Sequence, residues 1–310
     1  MQSSTLSAKS SSTLPTQIGG YQIEELLGEG AAGIVYRARR SGDHGDRGAD
    51  QPALVALKVL KPAAATQPQV LACFQFEGRI LSRLSHPGIL RVYETGLDDG
   101  QMFTAMELID GFSFDKYLLA KKKLSVRLSI RLARQLAEAL DYLHSHGYVH
   151  RDIKPANLMC DAAGRLLLFD FGTVIRTKDG IDYEAGIYGT PAFAAPEQIE
   201  NRGLIDGRAD LYALGIMLYL MVTGRKPFYG TREDVLQAHL TEIPKPPSKY
   251  ARVPQALDAV ILQAIAKEPA DRFATGADFA AALTEVEENL PPVPPSAWQR
   301  FLGWLRPTSS

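Results

Sequence analysis

The sequence predicts an α+β protein in two parts, a small β-rich part followed by a larger α-helical one. Two observations carry this. Three segments between Tyr21 and Leu60, YQIEELLG, GIVYRAR and ALVALKVL, hold β-branched or aromatic residues in local alternation, which marks strands. Beyond Asp110 the period changes. In SVRLSIRLARQLAEALDYLHSHG, residues Ile130, Ala133, Ala137 and Leu140 recur at helical spacing, and Gly147 supplies a natural stop. The length of 310 residues suits one large domain or two lobes, at about 150 residues per domain.

The elements follow in order. Residues 1–17 are rich in Ser and Thr and are expected to be disordered, with order beginning near Ile18. The polar SGDHGDRGADQP between the second and third strands reads as a surface loop. Residues 69–84 read as a helix ended before His86-Pro87. ILRVYETG and MFTAMELI are two more strands joined by the turn-like LDDG, so residues 18–109 hold five strands and one helix. Residues 110–289 are the helical part, with further helices expected at 208–223, 231–240, 254–267 and 275–288. The longest apolar run, Leu211 to Val222, is 12 residues. A helix crossing a bilayer needs about 20, so this run reads as a helix buried on all sides. No internal repeat is visible. In residues 290–310, PPVPPS is expected to be a stiff extended spacer, followed by the aromatic and basic WQRFLGWLR.

Composition narrows the setting. Hydrophobic residues make up 45%, enough for a sizeable core, and the formal net charge is −1. That balance argues against nucleic acid or an anionic membrane as the main partner. The two cysteines, Cys73 and Cys160, imply no disulfide framework and fit a reducing compartment. The first residues have no apolar core of a secretory signal, and a cytoplasmic location is expected.

Four motifs carry chemistry. Gly28, Gly30 and Gly33, followed by Ile34 and Val35, form a glycine-rich turn. Such a turn lets backbone N–H groups approach phosphate oxygens. A dinucleotide fold would place a helix after the last glycine; here a strand follows, although a plain hairpin has the same pattern. Lys58 sits inside the apolar strand VALK. It reads either as a strand-edge lysine with its head in water or as a lysine paired with nucleotide phosphates and Glu77. The run His150-Arg151-Asp152-Ile153-Lys154-Pro155-Ala156-Asn157 is too specific for a chance loop. Thirteen residues after Asn157 comes Asp170-Phe171-Gly172, behind the strand LLLF. Together these supply what phosphoryl transfer requires. Asp152 can take the proton of an acceptor hydroxyl, and Lys154 can neutralise the moving group. Asn157 and Asp170 are the hard oxygen ligands that magnesium prefers.

In this order the motifs resemble those of the protein-kinase superfamily, and within it the eukaryotic-like Ser/Thr kinases of bacteria. The resemblance spans about residues 20–288. It implies the bilobal protein-kinase fold, with ATP and a divalent cation, Mg²⁺ or Mn²⁺, the choice being open. It implies protein substrates with Ser/Thr acceptors, because Lys154 stands two residues after the catalytic aspartate. Ala195-Pro196-Glu197 resembles the motif closing the activation segment, and Arg272 resembles the partner of that glutamate. Asp210 resembles the aspartate that braces the catalytic loop from a buried helix. An adenine pocket is implied: Leu27, Val35 and Ala56 above the ring, Met159 beneath, Met106 as gatekeeper, and backbone groups of Glu107 and Ile109 as hydrogen-bonding partners. Thr190, after Gly189, resembles the residue that bonds Asp152 and Lys154 where the acceptor is received. A scaffold without transfer would show damage at Lys58, Asp152, Asn157 or Asp170, and none is damaged. A small-molecule kinase would lack the Ala-Pro-Glu closure. Dimerisation is common in this family but is not readable here.

Three features stay open at this level. The Ser/Thr-rich start reads equally as an autophosphorylation region or an inert tail. The segment 296–310 reads first as docking on the large lobe or on a partner, and second as weak membrane contact. Arg151 implies control by loop phosphorylation, with Thr173 and Thr177 as candidate sites. Yet residues 179–186 offer Asp182 and Glu184, with Tyr183 as their only hydroxyl. These carboxylates read either as a phosphate substitute or as solvated charges. Under the first reading, alanine at both positions lowers turnover of the unphosphorylated chain sharply; unchanged turnover leaves the second.

Overall fold

Alternation along the third predicted strand decides the first half of the structure. Val55, Leu57 and Val59 are buried on one face, with Ala56 and Lys58 on the other. In the computed structural model, which describes residues 15–30, 32–41, 52–176, 189–201 and 205–292, the chain divides into two compact units. One runs to Ser82 and resumes from Val92 to Leu108; the other comprises Arg83–Arg91 and the chain from Ile109. The start of the chain, residues 42–51, Thr177, Asp182, Tyr183, Glu184 and the aromatic tail lie outside the described residues.

The first unit is a six-stranded antiparallel sheet with two helices. Its strands are β1 (Gln17–Ile18), β2 (Tyr21–Glu29), β3 (Gly33–Arg40) and β4 (Leu54–Leu60). Helices α1 (Pro62–Ala65) and α2 (Pro68–Leu81) follow, then β5 (Val92–Asp98) and β6 (Gln101–Met106). The sheet order is β1-β2-β3-β4-β6-β5. Ile18, Tyr21, Tyr36, Ala38, Val55, Leu57, Val59, Phe103 and Ala105 form its core. The five expected strands are present. The two-residue β1 and the four-residue α1 are too short for any period to announce them. Proline opens both helices, where its missing N–H is harmless.

The fourth expected strand starts later than ILRVYETG suggested, and the reason is tertiary. Leu90 donates its N–H to the Leu168 carbonyl at 3.0 Å, and Leu168 donates to Gly88 at 2.9 Å. Ser85 donates to the Tyr142 hydroxyl at 3.0 Å. These bonds commit residues 83–91 to the second unit.

That unit begins with β7 (Gly111–Ser113) and α3 (Phe114–Lys121), followed by the long α4 (Val126–Ser145) and β8 (Tyr148–Val149). Strands β9 (Leu158–Asp161), β10 (Leu166–Leu168) and β11 (Ile175–Arg176) are short. Helices α5 (Pro196–Glu200), α6 (Gly207–Thr223), α7 (Arg232–Thr241), α8 (Gln255–Ala264) and α9 (Gly276–Glu288) complete it. Ser125 caps α4, accepting from Leu128 N at 3.3 Å. Ile130, Ala133, Ala137 and Leu140 are each fully buried, so the predicted stripe faces the core. As expected, α6 is buried nearly all round, and Gly224 ends it at φ 75°. Among the described residues no helix is long and apolar enough to cross a membrane.

Late in the sequence Arg272 fastens this unit. Its side chain is 0% exposed. Nη1 and Nη2 each reach a Glu197 carboxylate oxygen at 2.7 Å, and the remaining bonds go to the carbonyls of Ala266, Arg208 and Lys267. Breaking a buried ion pair strands the remaining charge. Arg272→Ala is therefore expected to lower unfolding free energy by about 3–5 kcal/mol, read from denaturant melts.

Candidate active site

In the first unit, one face of the sheet carries several of the predicted residues. Gly28 pairs with Val35, Val35 with Lys58, and Ala56 with Met106. Directly opposed residues share a face of a sheet, so these five line the side opposite the core. Ala56 is buried, Val35 and Met106 half-buried, and Leu27, beside a register shift in β2, exposed. Glu107, just past β6, is half-buried.

Lys58 is not a strand-edge lysine with its head in water. Its Nζ meets Glu77 Oε2 at 2.8 Å and lies over the Phe74 ring at 5.7 Å from the centroid. Helix α2 places Phe74 and Glu77 three residues apart, hence on one face. The glycines divide by cause. A Cβ at Gly33 would sit 2.8 Å from the Val59 carbonyl oxygen, so close strand approach demands glycine there. At Gly28 an added Cβ meets nothing within 4 Å. Gly28 instead stands at a register shift in the β2–β3 pairing, an irregularity where glycine is common.

In the second unit, one buried carboxylate holds the loop from His150 to Asn157. Asp210 of α6 accepts from His150 N and Arg151 N, each at 2.8 Å, and from His144 Nε2 at 2.8 Å. Burial opposes its ionisation, but the His144 bond and charge and the His150 contacts hold its carboxyl below the usual range. Thr173 adds a clamp, donating its hydroxyl to the His150 carbonyl at 2.8 Å, while Arg151 Nε donates to Thr173 O at 2.7 Å. The Phe171 ring meets His150 edge-on, with centroids 5.0 Å apart.

On this loop stands Asp152. Its Oδ2 accepts from Lys154 Nζ at 2.6 Å and Asn157 Nδ2 at 3.1 Å; its Oδ1 accepts from the Thr190 hydroxyl and N–H, each at 2.9 Å. Lys154 Nζ also donates to Thr190 Oγ1 at 2.9 Å. Asn157 lies in a 3-10 turn at Pro155–Asn157, and its carbonyl accepts from Phe169 N at 3.0 Å. That bond brings Asp170, the next residue, beside it. Asp170 is exposed and has φ 64°, a left-handed conformation strained for a residue with a side chain. Asp170 and the Asn157 amide offer hard oxygen donors. No group of three or more His, Cys, Asp or Glu side chains among the described residues can hold a metal alone. The donor set suits a cation that completes its shell with phosphate oxygens and water, as magnesium does. Met159, half-buried in β9, pairs with Leu167 and Ser113, and Ile109, half-buried, precedes β7.

A family profile described as "Protein kinase domain" matches residues 21–283. The chain belongs to the protein kinase family. It is 39% identical over 274 residues to the serine/threonine-protein kinase PknJ of Mycobacterium tuberculosis, covering 85% of this chain and 44% of that one. It is 34% identical over 284 residues to PknB of Mycolicibacterium smegmatis, covering 89% of this chain and 44% of that one. The chain thus spans less than half the length of these curated relatives. The crystal structure of the Mycobacterium tuberculosis PknI kinase domain superposes with a TM-score of 0.66 at 32% identity, covering 88% of this chain and 99% of that one. The kinase fold expected from the motifs is the fold observed.

Three residues that hold the His150–Asn157 loop escaped the sequence reading: His144, Thr173 in its role as a clamp, and Gln198, whose Nε2 donates to the Arg151 carbonyl at 2.9 Å. Each acts on backbone atoms or on another buried group. Gln198 stands directly after Ala-Pro-Glu, but nothing in its type points back to residue 151.

Burial opposes ionisation of Asp152, yet the Lys154 and Thr190 hydrogen bonds, the Lys154 charge and Asn157 outweigh it and hold the carboxyl below its ordinary value. A carboxyl so depressed adds stability above the ordinary carboxylate pKa, and that stability is lost as pH falls through the depressed value. Lys154→Met removes two of these influences. The Asp152 midpoint, followed by carboxyl ¹³C NMR, is expected to rise; an unmoved midpoint would clear Lys154 as the cause.

Proposed function

We propose that this chain is a Ser/Thr protein kinase, transferring the γ-phosphoryl group of ATP to Ser or Thr hydroxyls of proteins. One observation carries the reading: a depressed carboxylate, Asp152, engaged together with Lys154, Asn157 and Thr190. The names of the relatives above support it.

In this reading the acceptor hydroxyl lies against Asp152. Its oxygen attacks the γ-phosphorus, the bond to the β–γ bridging oxygen breaks, and ADP departs with the electron pair. The proton passes to Asp152. Lys154 offsets negative charge on the transferring group, where fixed charge is most effective. Thr190 frames the acceptor site. Asn157 and Asp170 hold Mg²⁺, which neutralises phosphate charge when bound. In the first unit, Lys58, oriented by Glu77, pairs with the nucleotide phosphates. The turn at Gly28, Gly30 and Gly33 covers them. Leu27, Val35, Ala56, Met106 and Met159 contact adenine, with backbone groups of Glu107 and Ile109 bonding its edge.

Asp152→Asn keeps the size of the side chain and removes its basicity. Transfer from labelled ATP to casein, with Mg²⁺ present, is expected to fall about a hundred- to ten-thousandfold, with nucleotide affinity unchanged. Transfer by the variant at the wild-type rate would overturn the assignment of the base.

A further inference from the structure

Gln198 lies in α5, touches none of the atoms proposed to react, and is 3% exposed. A buried primary amide must place both its ends. Here Oε1 accepts from Ala195 N at 3.1 Å, and Nε2 donates to the Arg151 carbonyl at 2.9 Å. The first bond caps its own helix. The second reaches 47 residues back in sequence, to the peptide that joins Arg151 to Asp152.

That peptide needs holding. Arg151 has φ 68°, in the left-handed region, where a residue with a side chain is strained. Such conformations persist only where the surroundings over-determine them. Asp210 fixes the N–H of Arg151 and Thr173 fixes its side chain; the peptide that follows is held at its N–H end by a long bond, Asp152 N to His150 Nδ1 at 3.4 Å, and at its carbonyl by the shorter bond from Gln198. Rotating that carbonyl swings Asp152. The same carbonyl also touches the segment that carries Thr190. Gly189 has φ 106°, and a Cβ there would lie 2.8 Å from Arg151 O, 3.7 Å from Gln198 Nε2 and 3.8 Å from Asp152 Oδ1. Arg151 O is therefore packed between the Gln198 amide and the backbone preceding Thr190.

We propose that Gln198 is a positioning residue for the phosphoryl transfer proposed above: its amide fixes the Arg151–Asp152 peptide and links the aim of Asp152 to the seating of the Gly189–Thr190 segment. The inference rests on that functional reading. It adds that α5 reports to the catalytic carboxylate whether the acceptor segment is in place.

Two variants separate positioning from capping. Gln198→Glu keeps an acceptor for Ala195 N and loses the donor to Arg151 O; Gln198→Met loses both without burying a charge. Steady-state phosphorylation of casein is expected to show kcat lowered about ten- to a hundredfold in both, with KM for ATP unchanged. A wild-type kcat in Gln198→Glu would leave Gln198 as a helix cap and overturn the proposal. Amide hydrogen exchange gives a reading independent of turnover. Residues 148–154 are expected to exchange faster in Gln198→Glu than in wild type, with residues 211–222 unchanged; equal exchange in 148–154 overturns the proposal. Should the Glu variant fail to fold, a wild-type kcat or unchanged exchange at residues 148–154 in Gln198→Met overturns the proposal. Should the wild type transfer no phosphate, the functional reading falls, and exchange alone decides the role of Gln198.

Discussion

The buried carboxylate of Asp210 is the interaction on which the rest of the second unit's chemistry depends. A carboxylate taken out of water is costly unless its oxygens are satisfied. Here two successive backbone N–H groups and a histidine satisfy them. The exchange is mutual: the loop neutralises the carboxylate, and the carboxylate dictates where the loop runs. Because Asp210 sits near the start of a helix buried nearly all round, its position is inherited from the hydrophobic core. The loop that bears Asp152 is thus indexed to a helix of the unit's buried core.

Strained backbone occurs at this loop as well as elsewhere among the described residues. Arg151 and Asp170 both adopt left-handed backbone; the first precedes the residue read as base, and the second is itself read as a metal ligand. Each is surrounded by contacts that leave little choice: Asp210, Thr173 and Gln198 around the first, and the Phe169–Asn157 bond and the buried Phe171 beside the second. A site held in this way is ready before any ligand arrives, so binding energy need not be diverted to assembling it.

The sequence exposed the fold through period and the site through side-chain chemistry. The stripe of α4 and the apolar run of α6 were legible because a buried helix face has few other ways to be written. Asp152, Lys154, Asn157 and Asp170 stood out because the motifs that hold them resemble a known set, and the structure joins the first three by hydrogen bonds. The competing readings of Lys58 were settled only by Glu77 at 2.8 Å, since a strand pattern cannot say what a helix places above it. His144, Thr173 and Gln198 were hidden for a related reason. A hydrogen bond to a distant backbone atom needs one amide, hydroxyl or imidazole in the right place and leaves no pattern in neighbouring residues. The late start of β5 was hidden too, because Ile89 and Leu90 look like strand residues but serve Leu168 instead.

That last feature bears on how the chain emerges from the ribosome. Residues 83–91 interrupt the first unit, yet Tyr142 and Leu168, to which they bond, are synthesised later. Until then Ile89 and Leu90, 2% and 7% exposed in the finished fold, form an apolar loop without its cover. Transient surface of this kind attracts chaperones and invites aggregation. A fragment cut after Leu108 would carry the same orphaned loop permanently. The small unit is therefore discontinuous in sequence, and its autonomous production would require replacing residues 83–91 by a polar turn.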